Sequence, residues 1–213
     1  MLNLSKILIF IMLVPNMALA NSVSIGGMFM KGGSSNFNLA LDFKEEVGRW
    51  QTEVEGNYFY SEKNNIEMRN EGLLNVKRIL TLTDKHYVIG NVGYNFDEYR
   101  TLDTRTTYGA GYGYKILRTE KFKASNEITF LNLNTDLGDE LIWRNSLWFF
   151  YKLADQLSFT NKYLIETGDT DYVRNETYFN FQLTKQLKLS LGNVYTEDPI
   201  SDNVTTISFN FAL

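Results

Sequence analysis

Beyond residue 21 the chain alternates between apolar and polar side chains with a period of two. In residues 50–58 one face carries Trp50, Val54 and Tyr58, and the other carries Gln51, Glu53, Glu55 and Asn57. Near the end, Thr205, Ile207, Phe209, Phe211 and Leu213 share one face, while Thr206, Ser208 and Asn210 share the other. A helix would scatter such charges around its circumference, whereas a strand puts them on one side. The pattern predicts about twelve strands, near 22–31, 36–44, 48–61, 66–80, 85–98, 104–117, 121–133, 140–153, 156–166, 171–184, 187–197 and 203–213. Two sets of connections separate them. Short ones fall at 45–47, 83–84, 118–120, 154–155 and 185–186. Longer or more acidic ones fall at 62–65, 98–103, 134–139, 168–170 and 198–202. Strict exchange between the sets is expected of a barrel with short periplasmic turns and longer outer loops. An even strand count returns both termini to the periplasm.

The phase of the charges decides which face is outside. The polar face carries Glu53, Glu55, Glu67, Glu71, Glu127, Glu166 and Glu176. It also carries Arg69, Lys77, Lys115, Lys123, Arg144, Lys152, Lys162 and Arg174. A charge facing lipid costs about 2–4 kcal/mol near the midplane. These residues therefore belong in a lumen, where opposite signs on neighbouring strands pair. Many runs are also longer than the roughly 5–6 residues of an average soluble strand. The expected fold is all-β, a membrane-spanning antiparallel up-and-down β-barrel of about twelve strands. The expected lumen network is Glu53, Glu55, Glu67, Arg69, Glu71, Lys77, Lys115, Glu127, Arg144, Lys152, Lys162, Arg174 and Glu176. An aromatic girdle is expected from Trp50, Tyr58, Tyr60, Phe96, Phe122, Tyr151 and Tyr195, because rings with polar tips suit headgroup depth.

The first twenty residues read differently. Lys6 precedes the apolar run 7–14, and Ala18 and Ala20 frame a small-x-small cleavage pattern before Asn21. A cleaved secretory signal over 1–20 and a barrel over 21–213 are expected. Loss of the signal removes Lys6 alone, so the formal net charge passes from −4 to −5. Mild acidity gives no footprint for nucleic acid. There is no cysteine, and the two prolines are Pro15 and Pro199.

Residues 108–117 place Tyr108, Gly109, Gly111, Tyr112, Gly113 and Tyr114 before Lys115. Residues 158–213 run through a strand, Gly168, Asp169, Thr170 and Asp171, a strand with Asn175, Glu176 and Thr177, and then Tyr195 to Pro199 before the last strand. These segments resemble the DUF481 family of salt-induced-type outer-membrane proteins of Gram-negative bacteria. The resemblance spans nearly the whole mature chain and implies a barrel without a catalytic signature. Two departures are the final Leu213, where barrels often end on an aromatic residue, and a front third that matches less clearly.

Candidate chemistry is sparse. The glycines at 109, 111 and 113 sit inside a strand at period two. A nucleotide loop would instead follow a strand and open a helix, so they are read as room for large side chains across the lumen. His86, the one histidine, falls at the periplasmic end of its strand and faces lipid or headgroup. Known barrel hydrolases keep their histidine near the outer leaflet, so an interfacial role is expected. Asn132, Asn134, Asp136 and Gly138 fail as an EF-hand, since Trp143 stands where the bidentate glutamate belongs. The outer rim gathers Asp97, Glu98, Asp103, Asp136, Asp139, Glu140, Asp169, Asp171, Glu197, Asp198 and Asp202, which could recruit divalent cations.

Three functional readings follow. The first is a non-enzymatic barrel serving envelope integrity or stress tolerance, with a narrow or occluded polar lumen. The second is a small-solute or ion channel, and the third a lipid- or peptide-hydrolysing barrel enzyme. No cofactor or resident metal is expected. Expected partners are outer-membrane lipid, lipopolysaccharide and the barrel insertion machinery.

Overall fold

The computed structural model describes residues 22–26, 29–30, 34–63, 66–97, 104–168, 171–198 and 200–212. The expected signal and its cleavage residues Ala18, Ala20 and Asn21 lie outside them. Among the described residues the chain is one antiparallel sheet of thirteen segments. They are β1 (Ser22–Gly26), β2 (Phe29–Met30), β3 (Ser34–Val47), β4 (Trp50–Lys63), β5 (Ile66–Thr81), β6 (His86–Asp97) and β7 (Thr104–Arg118). There follow β8 (Phe122–Thr135), β9 (Gly138–Ala154), β10 (Leu157–Thr167), β11 (Tyr172–Gln182), β12 (Leu187–Asp198) and β13 (Ile200–Ala212).

From β2 to β13 each segment pairs with its sequence neighbour, and β1 closes the ring by pairing with β3 on one edge and β13 on the other. Ser22 faces both Asp42 and Ala212. The pairs Gly26 with Asn38 and Phe29 with Ser35 keep one register, so β1 and β2 are a single interrupted strand. The ring therefore has twelve members and no open edge, which is how a sheet satisfies every backbone group in hydrocarbon.

The side chains alternate across the wall. Phe130 is 62% exposed and its neighbour Leu131 is 0%; Leu141 is 71% exposed and Ile142 is 2%. Val92, Tyr108, Ile207 and Phe209 are likewise exposed. An exterior of bare aliphatic and aromatic side chains is matched to lipid, not water. One cation that could face lipid, Arg78, is held at the end of its strand. Arg78 lies 5.1 Å from the Trp50 ring and donates to Thr52, reaching the rim beside the Gly48 turn.

Both described termini lie at the end that carries the connections 48–49, 82–85, 119–121, 155–156 and 183–186; we call it the terminal end. The opposite, loop end carries 31–33, 64–65, 98–103, 136–137, 168–171 and 199. The expected contrast in length is largely absent, because the strands continue into tight hairpins. Residues 45–47 belong to β3, and the turn falls on Gly48, whose φ of 64° only glycine adopts readily. At 134–139 the turn contracts to Asp136 and Leu137, with Thr135 Oγ1 donating to the Gly138 carbonyl at 3.0 Å. Only 98–103 remains long. The two ends do differ in charge. The terminal-end turns carry Arg49, Lys85, Lys121 and Lys185 against Asp84, Glu120 and Asp155. The loop-end connections carry Lys31 and Arg100 against Glu98, Asp103, Asp136, Asp169 and Asp171.

The glycines of β7 make close packing possible. A Cβ on Gly111 would lie 2.3 Å from the Ile128 carbonyl oxygen, and one on Gly113 would lie 2.2 Å from the Tyr87 ring. Backbone cannot yield as a flexible side chain can, and overpacking typically costs about 1–3 kcal/mol or more. Gly111→Val is therefore expected to reduce the heat-modifiable, folded fraction on unboiled gels. Gly90→Ala, with nothing within 4 Å of its new methyl, is expected to fold like the parent.

Candidate functional site

The lumen phase of the strands brings charges of both signs to mid-height. Glu53 on β4 is the direct register partner of Lys77 on β5. The Lys77 ammonium lies 3.9 Å from Glu53 and 2.7 Å from Glu127 on β8. Tyr87 donates to the other Glu127 oxygen at 3.0 Å. Toward the loop end, Glu166 on β10 is 4% exposed and accepts from two arginines. Arg144 Nε donates to Oε1 at 2.8 Å, and Arg105 Nη2 donates to Oε2 at 2.8 Å. Arg105 also lies 5.3 Å from the Tyr172 ring. On β11, Arg174 Nε donates to Glu176 at 2.6 Å, two residues along the same strand face.

One pair differs from these in kind. Lys162 on β10 meets Glu55 on β4 at 3.2 Å. Strands β4 and β10 are six places apart in either direction around the twelve-membered ring. The two walls thus approach within two side-chain lengths at this level, and the ion pair spans the lumen along its diameter.

This bridge divides the interior. A vestibule of about 720 Å³ opens on the terminal-end side, and a compartment of about 100 Å³ lies on the loop-end side. Glu55, Asn75, Arg144, Lys162 and Leu164 line both and form the partition. Asn91 joins the partition by donating to Asn75 at 2.7 Å. Two apolar groups narrow the lumen further: Leu131, Leu133 and Ile142 on β8 and β9, and Ile79, Tyr87 and Ile89 on β5 and β6.

The remaining expected network residues have other placements. Lys152 sits at the terminal rim and donates to Asp155 at 2.8 Å, which holds the Asp155 carboxyl below the ordinary carboxylate range. Lys115 lies 5.6 Å from the Tyr87 ring. Glu71 faces Asp97 across β5 and β6, and the Glu67 and Arg69 side chains lie outside the described ones. Arg105 was not among the expected members. It stands one residue inside β7, where strand and loop are hard to separate by pattern, and only its odd phase shared with Thr107 marks it as inward.

Of the girdle residues, Trp50 and Tyr151 are 44% and 43% exposed. Phe122 packs against Phe149 and Tyr151, and Tyr195 donates to Glu197 at 3.0 Å. Tyr58 and Tyr60 depart from the expectation, being 1% and 4% exposed. Tyr58 donates to Asn70 at 3.1 Å and packs against Phe96, whose ring lies over Gly72. His86 begins β6 at the terminal end, with its ring against Tyr112 and Tyr114 and its Nδ1 bonded to the Tyr112 hydroxyl. Among the described residues, no group of three or more acidic or histidine side chains is arranged to hold a metal ion.

The fold is shared with solved structures. The chain is similar to the NanC porin, with a TM-score of 0.60, 14% identity, and coverage of 90% of this chain and 100% of that one. It is similar to the KdgM porin at a TM-score of 0.59 and 5% identity, covering 90% and 99% of the two chains. A KdgM porin in complex with disordered oligogalacturonate aligns at a TM-score of 0.54 and 5% identity, with the same coverage. At such identities the likeness is one of architecture, that of an outer-membrane β-barrel. No curated protein matches the chain. The family model for DUF481, a protein family of unknown function, matches residues 23–213, and the chain belongs to that family.

Proposed function

We propose that the protein resides in the outer membrane of a Gram-negative bacterium, with its terminal end in the periplasm. There it acts as a narrow, non-enzymatic channel for small polar solutes, closed at mid-lumen in the present conformation. The observation that carries this reading is the Lys162–Glu55 bridge between opposite walls, with a compartment on either side. A structural plug would be served by apolar packing, whereas ion pairs with partly exposed members can be hydrated and rearranged. The side chains at Lys162 and Glu55 keep 37% and 38% of their surface exposed, against 5% at Glu166. The bridge is thus the movable part of the belt, and the Arg105–Glu166–Arg144 group its fixed part.

The porin fold of the NanC and KdgM structures favours passage. The even number of crossings and the cationic terminal-end turns favour the periplasmic placement of the termini. Acidic loop-end connections would then meet lipopolysaccharide through divalent cations, and folding would depend on the barrel insertion machinery. The outward placement of His86 among tyrosines speaks against hydrolysis. A second reading, envelope integrity or stress tolerance without conduction, draws on the same bridge and on the apolar Leu131, Leu133 and Ile142 group.

In planar bilayers the wild-type chain is expected to give small, infrequent steps. Glu55→Ala with Lys162→Ala is expected to raise single-channel conductance several-fold. A large stable conductance in the wild type, or no change in the double variant, would contradict the closed-belt reading. Complete silence of both would leave the integrity role in place of the channel. Glu166→Gln removes the shared acceptor of Arg105 and Arg144, so the zero-current potential in a salt gradient is expected to shift toward anion selectivity. An unchanged potential would place that group off the conducting path.

A further inference from the structure

The belt itself is balanced in sign, but the vestibule below it is not. Four of its five carboxylates are engaged, Asp42 being the fifth. Glu46 holds Lys44 at 3.1 Å, Glu53 and Glu127 hold Lys77, and Glu55 holds Lys162. On the wall formed by β7 and β8, by contrast, Lys115, Arg118 and Lys123 line the same cavity. Among the described residues none of the three has a carboxylate within ion-pair distance. Their contacts are aromatic instead: the Lys115 ammonium lies 5.6 Å from the Tyr87 ring, and the Lys123 ammonium 5.4 Å from Phe150, which stacks on Trp148.

A backbone irregularity is responsible for the grouping. In a regular strand Lys115 and Arg118, three apart, would point to opposite faces. The register of β7 against β8 shifts between Lys115 and Leu117, so Lys115 pairs with Ser125 while Arg118 pairs directly with Lys123. The extra residue, Ile116, turns Arg118 from the lipid phase to the lumen phase. Bulges of this kind re-aim side chains next to binding sites. The bulge also sets two cations directly opposite each other on neighbouring strands, an arrangement that is destabilising unless a counter-charge joins it.

We infer that Lys115, Arg118 and Lys123 form a binding site for a small multivalent oxyanion, of the polycarboxylate or phosphate class, on the vestibule wall below the belt. Three uncompensated cations on one wall match a di- or trivalent anion. The stacked Trp148 and Phe150 rings offer an apolar surface for its carbon body. The cavity of about 720 Å³ is large enough for such a molecule. The inference rests on the reading of the lumen as an aqueous path, and it adds the class of solute that the terminal-end mouth retains.

The test is calorimetric titration of the full, detergent-solubilised chain with citrate and, separately, with pyrophosphate at low ionic strength. Saturable binding that weakens as sodium chloride is raised is expected for at least one of them. The two arms separate the carboxylate from the phosphate source. Arg118→Gln combined with Lys123→Gln is expected to lower the affinity by about tenfold or more, since charge-assisted contacts are lost. Lys121→Gln, in the turn outside the vestibule, is expected to leave it unchanged. Heat-modifiable migration on gels confirms that each variant is folded. No binding of either probe, or equal binding by the double variant, overturns the site. Binding is read without any current, so a non-conducting barrel that still takes up the probe would refute the channel and leave the site standing. A conducting barrel that ignores both probes would do the reverse.

Discussion

Hydrocarbon tolerates no unpaired charge, and a barrel that carries more than a dozen charged side chains in its strands must turn them inward. A cation or carboxylate on the lipid face near the midplane costs about 2–4 kcal/mol, which exceeds the strand propensity of any single residue. The polar phase therefore faces the lumen along every strand, and the rest of the structure follows from crowding charge into a closed ring. Opposite signs on adjacent strands pair directly, as Arg144 does with Glu166. Longer side chains reach further, as Lys77 does to Glu127 and Lys162 to Glu55 across the full width. The belt is thus a consequence of the same constraint that puts Phe130 and Leu141 outside.

This constraint is legible in the sequence because it is periodic. A period of two fixes the face of each residue once the strand is placed, so the charges at 53, 55, 77, 127, 144, 162, 174 and 176 could be assigned to the lumen without coordinates. Pairing across the lumen could not, because it depends on curvature and on which strands stand opposite. Nothing in the pattern around Lys162 distinguishes a partner on β9 or β11 from one on β4. Breaks of the period were equally hidden. Arg118 has the parity of a lipid-facing residue, and only the bulge at Ile116 returns it to the lumen.

Turns and aromatics show where local reading ends. Acidic or glycine-containing stretches at 45–47, 134–139 and 198–202 suggested loops, yet hydrogen bonding carries the strands almost to their tips. Among the described residues the path is narrowed by side chains of the wall. Tyr58 and Tyr60 have the outward parity of girdle residues but are buried, and at Tyr58 Gly72 lets the Phe96 ring settle over β5 and cover it. The buried group Leu131, Leu133 and Ile142 has the opposite history. Its members have lumen parity, and the glycines of β7 leave room for Leu131 on the inner wall. The lumen is consequently part polar network and part apolar packing.

Charge is graded along the axis, with acidic connections at the loop end, a neutral belt, and a cationic wall above the terminal end. An anion entering from the loop end would meet repulsion before attraction, and a cation the reverse. Neither sign is favoured along the whole path, so the proposed passage would depend on whether the belt can exchange partners. Lys162 and Glu55 are the members best placed to do so, because each keeps part of its surface exposed and has further charge nearby: Glu176 for the lysine, and Arg174 and Lys77 for the glutamate. A multivalent anion held by Lys115, Arg118 and Lys123 would bring negative charge to the terminal-end side of the same belt. It would compete with Glu55 for Lys162, and the vestibule and the bridge would then act as one electrostatic unit.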